Sequence, residues 1–173
     1  MHKSIISILV FVMFISVAMA QTLVNSIEDE HNSAMLEVKY HQLTKEAQKQ
    51  IDCLAENIYY EAGYEPEEGK VAVAIVTLNR VNDKKFPKDI CAVVKQKTAT
   101  VCQFSWFCES IKKEKHIQSY IEARRTAIYV YANYEKIPDL TKGALYYHAD
   151  YVNPRWKLQK TVQIGRHIFY KES

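Results

Sequence analysis

Glycine is scarce in this chain of 173 residues: there are four, Gly63, Gly69, Gly143 and Gly165. So few exclude a G-x-G-x-x-G dinucleotide loop, collagen-like repeats and low-complexity linkers. The nearest approach to a phosphate loop, Gly63 to Val71, has one residue too many between its glycines. It also has Val71 where a hydroxyl would hold magnesium, and Glu65, Glu67 and Glu68 where phosphates would sit. A surplus of one charge sign is lacking too. The net charge is +3, and Lys3 contributes one of those charges from a segment that reads as removable. A balance this even does not predict nucleic-acid binding. No C-x-x-C pair occurs, which argues against a zinc knuckle, and no internal repeat is visible.

What is present suits one packed domain, with 48% hydrophobic and 25% charged residues. His2 and Lys3 precede a run from Ile5 to Ala20 that is apolar apart from Ser7 and Ser16 and ends Ala18-Met19-Ala20. This is the pattern of a secretory signal peptide over residues 1–20, cut before Gln21; an uncleaved anchor is the alternative. Either way the domain is predicted to work outside the cytoplasm, meeting the membrane only transiently if the segment is cut.

Cys53, Cys91, Cys102 and Cys108 all follow the cleavage point, and in an oxidising compartment they read as two disulfides. Three connectivities are open. Closing the short QFSWF loop favours Cys102–Cys108, with Cys53–Cys91 pinning two helices.

Residues 21–43 are polar with little periodicity, an arm or loose helix. From there the domain runs over 44–173. Ala47, Ile51, Leu54, Ala55, Ile58, Tyr59 and Ala62 form one stripe of an amphipathic helix, stopped at Gly63. Pro66 suits the first turn of a second helix reaching Val81, apolar nearly all round and therefore buried. Phe86-Pro87 is read as opening a third, with Ile90, Val93 and Val94 apolar. Residues 97–110 read as a loop. A long helix is expected from about Gln118 to Lys136, with Tyr120, Ile121, Ala127, Ile128 and Tyr131 inward and Arg124-Arg125 in solvent. Ala144 to His148, Thr161 to Ile164 and His167 to Tyr170 are short and β-rich, with Gly165-Arg166 as a turn. Helices followed by a small C-terminal antiparallel sheet make the fold α+β.

Glu61 stands out because it lies seven residues after Leu54 and three after Ile58, on the apolar face of its helix. A carboxylate there is costly, and apolar surroundings raise its pKa toward that of a general acid. Glu56, about 140° round the helix, is expected in water.

The series Cys53-Leu-Ala-Glu-Asn-Ile-Tyr-Tyr-Glu61-Ala62, Glu65-Pro66-x-x-Gly69-x-Val71-Ala72-Val73-Ala74 and Leu78-Asn79-Arg80-Val81 resembles the SleB-type cell-wall hydrolase family, the catalytic domain of spore cortex-lytic enzymes. The likeness continues through Phe86-Pro87, Cys91-x-Val93-Val94, Cys102-Gln103-Phe104-Ser105-Trp106 and Ala144-Leu-Tyr-Tyr-His148. It closes with Pro154-x-Trp156 and Ile164-Gly165-x-His167-x-Phe169-Tyr170. It spans about Ile51 to Tyr170. One departure is local: the family commonly carries Glu-Ala-Arg-Gly-Glu, and here Gly63-Tyr64 stand in place of Arg-Gly.

The resemblance implies a lysozyme-like, mainly helical fold and an endolysin-like enzyme that cleaves peptidoglycan between N-acetylmuramic acid and N-acetylglucosamine. It maps the catalytic glutamate onto Glu61 and implies lytic transglycosylase chemistry, for which one carboxyl group suffices. Muramidase-type hydrolysis would call on a second carboxylate, Glu65 or Asp150. Glu65, Gln103, Ser105, Tyr147, His148 and His167 are candidate hydrogen-bonding partners for the sugar, and Phe104, Trp106 and Trp156 candidate subsite walls. No cofactor or metal is expected, since His148 and His167 lack a third ligand. The partner is peptidoglycan, met as a monomer. Two rivals are a Cys–His peptidase, which needs a free thiol, and a non-catalytic wall-binding module, which has no use for a carboxylate on an apolar face.

Overall fold

The computed structural model describes residues 2–99, 101–108 and 116–173, with side chains at 15 and from 17 onward. Thr100, Glu109 and Ser110 of the expected 97–110 loop therefore lie outside the described residues. The chain divides into two units, residues 1–39 and 40–173.

Helix α1 (His2–Gln42) makes up the first unit and ends just inside the second. Residues 21–43, expected as an arm or loose helix, continue this one helix as far as Gln42. Every side chain from Val17 to Asn32 is exposed, including Met19, Leu23 and Ile27 at steps of four. Among the described residues no helix is long and apolar enough to cross a membrane.

In the second unit, α2 (Lys45–Ala62) starts where the Thr44 side chain accepts the Ala47 N–H at 3.2 Å. Its stripe of Ile51, Leu54, Ala55, Ile58 and Ala62 is buried as the spacing requires. Ile51, Leu54 and Ile58 are wholly buried, worth about 1.5–3 kcal/mol each in removed apolar surface. The helix ends at Gly63 in an ordinary right-handed conformation, because Glu65 precedes a proline and cannot comfortably continue it. Pro66 is the N-cap of α3 (Glu67–Asn82) rather than part of its first turn. Ala72 through Leu78 are all buried, so this helix forms the middle of the core.

Helix α4 (Ile90–Val94) begins at Ile90, because the Asp89 carboxylate caps the Ala92 N–H at 2.8 Å; Phe86-Pro87 lies before it. The 97–110 segment is not wholly loop: Lys97 bridges Cys102, and α5 (Ser105–Cys108) is one helical turn. Helix α6 (Ile117–Asn133) buries Ala123, Thr126, Ala127, Ile128 and Val130. Ile121, expected inward, is exposed, and Tyr120, Tyr131, Arg124 and Arg125 are half-buried. The Arg124 guanidinium covers the Tyr40 ring at 4.3 Å from its centroid.

Strands β1 (Tyr146–Ala149), β2 (Gln159–Ile164) and β3 (His167–Lys171) form an antiparallel sheet in the order β1-β3-β2. Tyr147 pairs with Phe169, and Ile164 with His167 across the Gly165-Arg166 turn. The inward face, with Phe169, Tyr147, Val162 and Ile164, packs on Ala72, Val76 and Ala144, setting the sheet against α3. Both disulfides take the pairing favoured by the short loop: Cys53–Cys91 with Cα atoms 5.2 Å apart, and Cys102–Cys108 at 5.8 Å. No cysteine is free.

Candidate active site

The last turn of α2 carries Glu61 to a cleft of about 370 Å³, whose walls include Tyr59, Tyr60, Tyr64, Glu65, Tyr151, Arg166 and His167. Glu61 is half-buried, with its carboxyl group turned toward Tyr147. Burial raises its pKa to about 6, against the opposing pull of the Tyr147 hydrogen bond and the Arg80 charge. The Tyr147 hydroxyl donates to Glu61 Oε2 at 3.2 Å. Burial and the neighbouring Glu61 hold that phenol well above its ordinary pKa, so it stays a donor.

Tyr147 is aimed by α3. Asn79 Nδ2 donates to the Ala144 carbonyl at 3.1 Å, and Arg80 Nε donates to the Leu145 carbonyl at 2.7 Å, fixing the two residues that lead into β1. The Arg80 guanidinium sits 5.2 Å from the ring centroids of both Phe86 and Phe104 and 5.9 Å from that of Tyr146. Its Nη1 has no hydrogen-bond partner among the described residues, so the cation spends its charge on the aromatic rings and on Glu61. Arg80 escaped the reading of the sequence as a site residue. The signal was there: a lone arginine inside an otherwise buried helix needs a purpose.

Glu65, on the same cleft wall, is engaged by backbone. Its Oε2 accepts the Arg166 N–H at 3.0 Å, clasping the β2–β3 turn to the α2–α3 connection. A side chain on Gly165, whose φ is +54°, would strike that same oxygen. Asp150 is exposed and lies 3.5 Å from Arg166 Nη2. His167 is 7% exposed on the inward face, edge-on to Tyr147, and its Nδ1 has no partner among the described residues. Burial lowers its pKa, so the ring is neutral at neutral pH.

Other candidates are dispersed. Phe104 is 3% exposed beneath Arg80 and packs rather than walls a subsite. Gln103 and Ser105 are exposed on the neighbouring segment. Trp106 stacks on the cleft residue Tyr60 at 4.6 Å and points its indole N–H at Asn57 Oδ1, 3.4 Å away. His148 and Trp156, expected at the sugar, lie on the other face of the sheet: successive strand residues alternate, and Tyr147 takes the inward side. There His148 stacks on Tyr170, its Nε2 3.0 Å from that hydroxyl, with Trp156 edge-on to both. Glu56, expected in water, is half-buried.

The family model for cell wall hydrolases matches residues 64–170. Among curated proteins, the spore cortex-lytic enzyme of Oceanobacillus iheyensis is 31% identical over 132 residues, covering 72% of this chain and 42% of that protein. The Bacillus subtilis spore cortex-lytic enzyme is 32% identical, covering 69% of this chain and 36% of its own length. The chain thus spans less than half the length of these relatives. Among solved structures, the catalytic domain of the Bacillus cereus SleB protein is 30% identical with a TM-score of 0.55, covering 72% of this chain and 91% of that one. The catalytic domain of the germination-specific lytic transglycosylase SleB from Bacillus anthracis has the same identity and TM-score, with 95% of its chain covered.

Proposed function

The chain belongs to the cell wall hydrolase family, and on that footing we propose that it cuts peptidoglycan glycan strands between N-acetylmuramic acid and N-acetylglucosamine, as a lytic transglycosylase. The observation that carries this reading is Glu61, a half-buried carboxyl group in a cleft with its pKa raised to about 6.

With Oε2 accepting from Tyr147, the acid proton sits on Oε1. Glu61 gives that proton to the glycosidic oxygen as the bond from C1 of the muramic residue breaks. As carboxylate it then takes the proton from the muramic 6-hydroxyl while O6 bonds to C1. No water is consumed, a 1,6-anhydro ring is left, and Glu61 ends protonated again. A pKa near the working pH suits a group that must both give and take a proton. The engagement of Glu65 with the β2–β3 turn supports a single-carboxyl route. Muramidase-type hydrolysis is the second reading, favoured only by the place of Glu65 on the same cleft wall. Export through residues 1–20 and action as a monomer in the periplasm or wall complete the proposal. The two disulfides fit that location.

Glu61→Gln keeps the shape and the acceptor for Tyr147 but has no proton to give. It should stay folded and lose about 10²–10⁴-fold in the rate of solubilising purified sacculi. Glu68→Gln, in the exposed first turn of α3, should change little. A folded Glu61→Gln protein with near wild-type activity would refute the assignment.

A further inference from the structure

Two of the four tyrosines that line the cleft stand open to solvent. Tyr64 is 92% exposed and Tyr151 77%, the two highest values among the large hydrophobic side chains described. A single exposed ring is unremarkable. Here both line the cleft that holds Glu61, and they reach it from separate segments, the α2–α3 turn and the turn after β1.

Neither segment is loosely held. Tyr64 lies between Gly63, whose N–H donates to the Tyr59 carbonyl, and Glu65, whose N–H donates to the Ala62 carbonyl. Tyr151 follows Asp150, whose N–H donates to the Arg166 carbonyl at 2.7 Å, and the Val152 N–H closes the turn on Ala149 at 2.9 Å. Arg166 ties the two sides together. Its N–H goes to Glu65, its side chain approaches Asp150, and its guanidinium sits 5.4 Å from the centroid of the Tyr151 ring. The cation covers part of one ring, and the exposure of both tyrosines leaves ring surface open to a ligand.

We propose that Tyr64 and Tyr151 form a sugar-stacking clamp, which takes the apolar C–H faces of pyranose rings of the glycan strand next to the bond that Glu61 cuts. This rests on the function proposed above. A pyranose is flat and apolar on its faces and hydroxylated at its edge. That suits a cleft with open aromatic rings at its rim and Glu61, Glu65, Arg166 and His167 among its walls. A lipid chain or an apolar helix would instead leave those polar groups unpaired.

The test is binding without turnover. In a Glu61→Gln background, cosedimentation with purified sacculi gives a dissociation constant. Tyr64→Ala and Tyr151→Ala should each weaken it about three- to tenfold, and Tyr64→Phe should hold it within about twofold, since the ring face and not the hydroxyl makes the contact. With Glu61 intact, both alanine variants should raise KM and leave kcat and the pH profile unmoved. Alanine variants that keep the wild-type melting temperature and bind as tightly as the parent would overturn the clamp. So would a Phe variant as weak as Ala. A wild-type protein that binds sacculi through these tyrosines yet releases no products would sink the catalytic reading and leave the clamp standing.

Discussion

Glu61 is held between a burial that favours its neutral form and two partners, Tyr147 and Arg80, that favour its charged form. That tension predicts a pH-dependent stability. Its pKa rises from 4.5 in the unfolded chain to about 6 in the fold, so the folded state binds the proton more tightly. The stabilisation is complete below about pH 4.5 and is lost as pH rises through about 6, a difference of up to about 2 kcal/mol. Glu61→Gln, which never ionises, should therefore be more stable than wild type at pH 7.5 and equal to it near pH 4. Denaturant melts at the two pH values check this. A difference between the proteins that is the same at both would remove burial as the cause of the shift. Helix phase alone placed Glu61 on the apolar face, and the structure puts it at a cleft. Phase could not reveal Arg80, because its partners are the Leu145 carbonyl and rings from three other segments. Nor could it reveal Tyr64 and Tyr151, which sit in turns where no periodicity marks a side chain as buried or open.

The β2–β3 hairpin and the α2–α3 connection meet through one carboxylate, that of Glu65. Gly165→Ala would place a methyl against Glu65 Oε2 and force alanine into a left-handed conformation. A cost of about 1–2 kcal/mol is expected from the backbone alone, with a further loss as the clasp opens. Combining it with Glu65→Ala should give less than the sum of the two single effects, because the collision disappears. Thermal melts of the three variants settle this, and strict additivity would mean that the clasp does not exist. Glu65→Gln still offers a carbonyl to the Arg166 N–H, so its activity should change little. A loss like that of Glu61→Gln would point to two-carboxylate hydrolysis. Much at this scale was legible in advance. The α2 stripe, the buried α3 and the hairpin at Gly165-Arg166 follow from period and turn chemistry. The sheet order β1-β3-β2 does not, because β1 pairs with β3 and β2 lies between those two in sequence. The start of α4 is set by the Asp89 cap and not by Pro87, and Ile121 faces outward because the buried side of α6 is built mostly of alanine and threonine.

The catalytic reading depends on a domain that keeps α2, α3 and the sheet in register outside the cytoplasm. Cys53–Cys91 closes 38 residues and ties α2 to α4, while Cys102–Cys108 closes only six. On chain entropy the first contributes about 4 kcal/mol and the second about 2, with the longer link the one that bears on Glu61's helix. Three elements then meet at a single carboxyl group: α2 supplies it, β1 brings Tyr147 to it, and α3 holds β1 in place. The most direct test of that arrangement as a one-carboxyl transglycosylase is mass spectrometry of the fragments released from purified sacculi by wild type, Glu65→Gln and Glu61→Gln. Wild type and Glu65→Gln should release fragments ending in 1,6-anhydromuramic acid, lighter than hydrolysis products by the elements of one water, and Glu61→Gln should release almost none. Reducing muramic ends from wild type, with no anhydro form, would contradict the mechanism.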